Sequence, residues 1–191
     1  RELVPDVRSL AVIDGLEYTP GAWIESIQLS KGSGSVAQGY ESMTGQINVE
    51  LRKPEKKERF YLNLYANEGG RYEGNLTLKQ KVSSNWSTAL LLHGKTQYQR
   101  HDRNDDGFLD MPLGQNFFAT NRWKYQNSSG LQGQIGLRYV DKSTFSGQQR
   151  YQPDLDEGSA DIWGFQKEAE VMEVWAKIGK YLNPVNNSSF G

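Results

Sequence analysis

Apolar and polar residues alternate along most of this chain, which is the pattern of β-strands that have two different faces. From residue 60 onward the alternation is regular: one set of alternate positions is mainly apolar, and the other carries charged and amide side chains. Helical periodicity is weak throughout, so we expect an all-β fold. The six strands predicted in this part lie at 60–67, 71–79, 86–100, 117–126, 131–139 and 172–178.

The connections between these strands alternate in length. They are short at 68–70, 83–85 and 127–130, and long at 101–116 and 142–167. In an up-and-down sheet the second and third short turns lie at one end and both long loops at the other. This is typical of outer-membrane barrels, whose strands need about 9–11 residues to cross the bilayer. A soluble β-sandwich, with strands of typically about 5–6 residues, is the second interpretation.

The first quarter of the chain is organised differently. Strands are predicted at 7–13, 23–30 and 45–51, with a glycine- and serine-rich loop between the second and the third. A mixed-charge segment containing a proline follows and indicates a boundary. The predicted organisation is a small domain at 1–52, a linker at 53–59 and a strand array at 60–191.

Composition excludes several functions. The net charge is -1 and the basic residues are scattered along the sequence, so we expect no nucleic-acid partner. The chain has no cysteine, which removes disulfides and thiolate metal sites. Neither the two histidines nor the acidic run at 154–157 forms a catalytic motif, so we do not expect an enzyme.

The segment 24–51 carries the most specific pattern in the chain. It contains an Ile-Glu-x-Ile strand, a Lys-Gly pair, a loop with Gly and Tyr, and then Gly-x-Ile-Asn-Val. Together with the strands after it, this segment resembles the C-terminal end of the plug domain of TonB-dependent outer-membrane receptors. The residues that carry the plug motif are Glu25, Lys31, Gly32, Gly39 and Gly45.

The resemblance implies a plug domain inside an antiparallel transmembrane β-barrel of about 22 strands. Residues 1–52 would be the C-terminal part of the plug, and 60–191 the first strands of the barrel. We expect the chain to be an internal piece of a longer precursor, with the segment that contacts TonB outside it. The implied function is import of a scarce ligand across the bacterial outer membrane, favouring a metal chelate such as a ferric siderophore. The resemblance names no ligand-binding residues.

A second motif lies in the first long loop. The sequence at 102–110, DRNDDGFLD, matches the first nine positions of a calcium-binding loop, with oxygen donors at places 1, 3, 5 and 9 and glycine at place 6. Place 12 is Leu113, so the bidentate Glu is missing and an Asx-rich solvated turn is the other interpretation. The predicted Ca²⁺ ligands are Asp102, Asn104, Asp106, Asp110 and the carbonyl oxygen of Phe108.

The alternative to a receptor is a secreted, calcium-stabilised β-sandwich that binds glycans. Several strands run to about 10 residues or more, longer than is typical of a sandwich. The polar face also carries many long charged and amide side chains, as a wet barrel lumen would. Both points favour the receptor.

Overall fold

A computed structural model gives the structure of the protein. It describes residues 18–32, 45–53, 58–183 and 188–190. The strand predicted at 7–13 and the motif residue Gly39 lie outside these ranges. The chain divides into two compact units between Lys53 and Pro54. In the described ranges the predicted all-β fold is confirmed, and no helix there is long and apolar enough to cross a membrane.

The first unit contains a two-stranded antiparallel sheet. A single 3₁₀ turn at Gly21–Trp23 leads into β1 (Ile24–Lys31), which pairs with β2 (Gly45–Leu51). The register shifts between Ile24 and Ser26, so the residue between them is an extra residue in the strand. Such a β-bulge bends the strand and increases its twist.

The second unit is a seven-stranded antiparallel sheet in which each strand pairs with the next one along the chain. A short helix, α1 (Pro153–Asp156), lies in the connection between the fifth and sixth of these strands. The strands are β3 (Phe60–Ala66), β4 (Arg71–Lys81), β5 (Trp86–Gln97), β6 (Leu113–Gln126), β7 (Leu131–Gly147), β8 (Gly164–Asn183) and β9 (Ser188–Phe190).

Three of the four strand ends at the long loops run further than the sequence predicts, whereas β5 ends at residue 97 instead of 100. β6 begins at residue 113 instead of 117, β7 continues to 147, and β8 begins at 164 instead of 172. The added residues are mostly polar, so hydrophobic alternation did not mark them, whereas backbone ladders form without apolar side chains. The long loops are therefore shorter than predicted, at 98–112 and 148–163. The end of the sheet that carries them is called the long-loop end, and the other the short-turn end.

Two turns at opposite ends of the sheet have the same construction. Asn67 and Asn127 open them, and Gly70 and Gly130 close them with φ of +75° and +81°. The side-chain oxygen of each asparagine accepts the backbone N–H of the residue four positions later, at 3.0 Å in both turns. Glycine is suited to the closing position because side chains disfavour positive φ. These turns fix how the strands on either side pair.

The register is unbroken from β3 to β8, so the sheet has two consistent faces. The face containing Asn75, His93 and Arg122 is called the polar face, and the opposite one, containing Leu137 and Val174, the apolar face. The polar face carries most of the buried side chains of this unit. Its buried polar members are Asn75, Thr77, Lys79, His93, Gln97, Thr120, Arg122, Gln134 and Lys142.

The apolar face is the exposed one. Leu64, Met172 and Val174 have 72%, 73% and 67% of their surface exposed, and Ile178 has 69%. A soluble antiparallel sheet normally packs its apolar face on a core and turns its polar face to water. In this sheet the apolar face is exposed, and the polar face carries most of the buried side chains.

A tryptophan packs against a glycine on the polar face. Gly136 pairs with Trp175, and a Cβ built at position 136 would lie 2.3 Å from the indole ring. The guanidinium carbon of Arg122 and the Nζ of Lys177 each lie 5.8 Å from the centre of the same ring. The glycine therefore makes room for an aromatic ring among cations.

We expect Gly136→Ala to lower the free energy of unfolding by about 1–3 kcal/mol, because the added methyl forces the indole or the backbone to move. The measurement is denaturant-induced unfolding of the chain followed by circular dichroism. Gly94→Ala is the matched control, since a Cβ at Gly94 meets nothing within 4 Å. In a Trp175→Ala background the cost of Gly136→Ala should disappear. Equal effects of the two glycine substitutions would contradict this packing.

Candidate functional site

The β1–β2 hairpin positions four of the five plug-motif residues. Glu25 is the bulged residue of β1, while Lys31 ends that strand and pairs directly with Gly45 at the start of β2. Ser26 donates a hydrogen bond to the Glu50 carboxylate at 3.1 Å. The motif residues are thus distributed over both ends of the hairpin, and they do not form one cluster.

Contacts at the base tie the hairpin to the turn that precedes it. Trp23 is 1% exposed, and its carbonyl accepts the backbone N–H of Arg52 at 2.9 Å. The Arg52 Nε–H donates to the carbonyl of Ala22 at 2.8 Å. At the other end, Gly32 has a φ of +87°, as expected of the glycine in the Lys-Gly pair. The hairpin is therefore anchored at the base.

The loop at 102–110 contains the predicted calcium ligands in a tight internal network. The Asp102 carboxylate accepts the backbone N–H of Asp106 at 3.1 Å and that of Gly107 at 2.8 Å. Asp106 accepts from the Phe108 N–H at 2.8 Å and from the Asn104 amide at 2.8 Å. The first three predicted side-chain ligands are therefore close together, with the carboxylates of Asp102 and Asp106 accepting hydrogen bonds from the same loop.

The fourth predicted side chain closes the same loop. Asp110 accepts the backbone N–H of Arg103 at 3.1 Å. Asp105 and Gly107 have φ of +57° and +82°. Asx turns in a solvated loop use the same carboxylate-to-amide bonds. Among the described residues, no group of three or more His, Cys, Asp or Glu side chains is arranged to hold a metal ion. The calcium site stays a prediction.

The two long loops are joined to each other. The N–H of Leu109 donates to the carbonyl of Gly147 at 2.8 Å, and the N–H of Gln149 to that of Gly107 at 2.8 Å. Arg100 donates to the carbonyl of Tyr151 at 3.0 Å. Leu109 and Tyr151 are buried. The 102–110 loop is thus held in place from outside by the β7–β8 connection.

An aromatic cluster at this junction was not predicted from the sequence. The rings of Phe108 and Trp163 are 6.0 Å apart, as are those of Trp163 and Phe165. All three are exposed, Trp163 by 59%. Phe108 was predicted only as a carbonyl ligand, and its aromatic neighbours are some 55 residues away in sequence. Their proximity depends on the pairing of the two loops, which no local pattern indicates.

A hydrogen-bonded chain crosses the polar face near the long-loop end. Arg71 binds the Glu73 carboxylate, which also accepts from Asn75 at 3.1 Å. The Asn75 side-chain oxygen lies 2.8 Å from His93 Nδ1, and the imidazole stacks on Phe118 at 5.2 Å. Buried polar groups are stable when they are paired in this way.

Aromatic side chains mark both ends of the apolar face. At the short-turn end, Trp86 lies 6.4 Å from Trp123 and 5.1 Å from Tyr125. At the long-loop end, Tyr72 stacks on Tyr98 at 5.8 Å. The pKa of Tyr98 is raised above its ordinary value because its hydroxyl donates a hydrogen bond to that of Tyr72.

The charged side chains of the apolar face also lie at its ends. Asp141, Glu168 and Glu170 are at the long-loop end, and Lys180 is at the short-turn end. Asp141 and Glu170 lie one pair inside the row of Tyr72 and Thr96. From the row of Ala119 and Tyr139 to the row of Trp86 and Tyr125, the described strands β3–β8 carry no charged side chain on this face.

Comparison of the chain with protein-family models, with curated proteins and with solved structures finds no match in any of the three.

We expect Asp106→Asn to weaken Ca²⁺ binding by tenfold or more, because it removes a charged ligand from the centre of the 102–110 loop. Asp105→Asn is the matched control: it removes the same charge from the same loop at a place that is not a predicted ligand. Isothermal titration of the protein with CaCl₂ measures both. Absence of binding in the unmodified protein, or equal loss in both variants, would assign the loop to the solvated-turn interpretation.

Proposed function

We propose that this chain is part of a TonB-dependent outer-membrane receptor that imports a scarce ligand, favouring a metal chelate such as a ferric siderophore. Residues 1–52 would belong to the plug domain and 60–191 to the barrel, with 53–59 as the linker. The partners would be TonB, the ligand and the lipids of the bacterial outer membrane. No catalytic role is proposed.

The observation that carries the proposal is the reversed burial of the seven-stranded sheet. Its apolar face is exposed, whereas its polar face contains buried lysine, arginine, histidine and amide side chains. Outer-membrane barrels have this distribution, because lipid contacts the apolar side chains and a wet lumen contacts the polar ones. In water, a continuous exposed apolar surface of this kind would favour aggregation or association.

The dimensions of the apolar face support the same proposal. Trp86 belongs to the aromatic row at the short-turn end, and Thr96 pairs with Tyr72 in the row at the long-loop end. These two positions on β5 are about 33 Å apart at about 3.3 Å per residue. At a barrel-like tilt of about 40° the distance is about 25 Å along the membrane normal, the height of the apolar band in such barrels.

The ends of the sheet give further support. The connections at 82–85 and 127–130 are tight turns, whereas those at 98–112 and 148–163 are long and carry a structured loop and an exposed aromatic cluster. Short periplasmic turns and longer outer loops are the usual arrangement in outer-membrane barrels. In this proposal the long-loop end faces the outside of the cell, where ligand is captured.

The burial pattern favours the receptor over the secreted β-sandwich. A sandwich core needs the apolar faces of two sheets to be in contact, but Leu137, Val174 and Ile178 are exposed by 45%, 67% and 69%. A test of assembly into the outer membrane distinguishes the receptor from the β-sandwich.

We expect Leu137→Arg to reduce sharply the amount of protein recovered in the outer membrane of the producing bacterium. An arginine facing lipid costs about 2–4 kcal/mol near the bilayer midplane, whereas an exposed surface substitution in water changes stability by only about 0.5 kcal/mol.

The matched control is Gln132→Arg, which places the same side chain on the polar face of the same strand β7. The Gln132→Arg variant should be recovered in the outer membrane in the same amount as the unmodified protein. Equal recovery of both variants, together with solubility in the absence of detergent, would overturn the membrane assignment and favour the sandwich.

A strain that lacks this protein should grow poorly when a ferric siderophore is the sole iron source, because the chelate is too large and too scarce to enter by diffusion. Growth should be restored by the unmodified gene and also by excess ferric salt. Measuring uptake of the ⁵⁵Fe-labelled chelate separates import from later steps. Normal uptake of every ferric chelate in the mutant would exclude the metal-chelate assignment and leave the membrane assignment standing.

A further inference from the structure

The polar face is strongly cationic although the whole chain has a net charge of -1. Within strands β3–β8 this face carries only two carboxylates, those of Glu73 and Glu173. Glu73 binds Arg71, and Glu173 lies 3.9 Å from Arg138. The cations of the face are Arg71, Lys79, Lys81, Lys95, Arg122, Lys124, Arg138, Lys142, Lys167 and Lys177.

Part of this charge is concentrated in two adjacent rows near the short-turn end. Lys124 pairs with Gln134, and Gln134 pairs with Lys177, so the three side chains stand side by side on β6, β7 and β8. Directly opposed residues have Cβ atoms about 5 Å apart. The next row contains Arg122 and Trp175. These five side chains are called the lysine–glutamine cluster.

The middle residue of the cluster has an unsatisfied donor. Gln134 is 7% exposed, and its Nε2 has no hydrogen-bond partner among the residues that the structure describes. A buried amide donor without an acceptor costs about 1–3 kcal/mol. Lys124 and Lys177 on either side are half-buried, and they supply further donors but no acceptor. The group that would satisfy this arrangement is therefore an acceptor with negative charge.

We propose that the lysine–glutamine cluster is a binding site for an oxyanion, a phosphate or carboxylate group of a small molecule. In this row two lysine residues flank an amide N–H that has no acceptor, and Arg122 lies in the neighbouring row. Charge-assisted hydrogen bonds of this kind are roughly twice as strong as neutral ones. The proposal stands apart from ligand import, because it concerns binding by the polar face whether or not the protein transports anything.

The indole of Trp175 provides the signal for a direct test. Because Arg122 and Lys177 both lie over this ring, an anion that draws either cation away will change its fluorescence. The purified protein is titrated in parallel with sodium phosphate and with sodium citrate, against sodium chloride at matched ionic strength. We expect a saturable change with phosphate, citrate or both, and none with chloride. The arm that saturates identifies the class of anion.

Substitutions separate the site from general attraction to a basic surface. Lys124→Gln and Lys177→Gln should each weaken binding about tenfold, and Gln134→Leu should weaken it while leaving the charge unchanged. Lys180→Gln is the matched control, since it removes the same charge from β8 on the opposite face. Lys177→Gln also alters the environment of Trp175, so isothermal titration of that variant provides an independent affinity.

Two results would overturn the proposal. One is the absence of saturable binding of either anion in the unmodified protein. The other is equal weakening by Lys180→Gln and by Lys124→Gln, which would mean that the anion responds only to net charge. Neither result bears on recovery of the protein in the outer membrane or on uptake of a ferric chelate, so failure of this site and failure of the proposed function are distinguishable.

Discussion

The unbroken antiparallel register from β3 to β8 is the constraint on which the other properties of this sheet depend. Side chains alternate with a period of two, so a slip of one residue between neighbouring strands would move a whole set of side chains to the other face. The Asn-to-Gly turns at 67–70 and 127–130 resist such a slip, because the side-chain oxygen of each asparagine holds the first N–H of the following strand. The Gly136–Trp175 contact adds a second restraint, since the indole fits only against a residue without a side chain.

This register also sorts the charges. Lysine and arginine are scattered along the sequence, yet in strands β3–β8 all of them except Lys180 share one face, while the centre of the opposite face carries no charge among the described strands. Like charges on neighbouring strands repel, so the arrangement needs water, acidic partners or bound anions near the polar face. An exposed apolar face and a cationic polar face are complementary consequences of one pairing pattern, and both are compatible with the proposed barrel.

Much of the fold could be predicted from the sequence. Alternation located β4, β5, β6 and β7 closely at the short-turn end, because each strand there has contrasting faces and lies next to a turn that contains Asn, Ser or Gly. It failed at the long-loop end, where the polar residues of β6, β7 and β8 continue the backbone ladder without a hydrophobic signal. The candidate sites also differ in how far the sequence predicts them. The Asp and Asn spacing at 102–110 is local and could be found, whereas Trp163 meets Phe108 only because two distant loops are joined.

The sequence by itself determined the strand type, the order of short and long connections and the composition of each face, since all of these follow from the local period of two. It could not determine which face is exposed, because alternation is the same in a sheet that buries either side. Only the tertiary structure decided that Leu137 and Val174 are exposed and that Lys124, Gln134 and Lys177 stand in one row. The physical reason is that burial and cross-strand neighbours depend on which strands pair and in which register. This pairing joins segments that are distant in the chain, so the pattern within a single segment does not predict it.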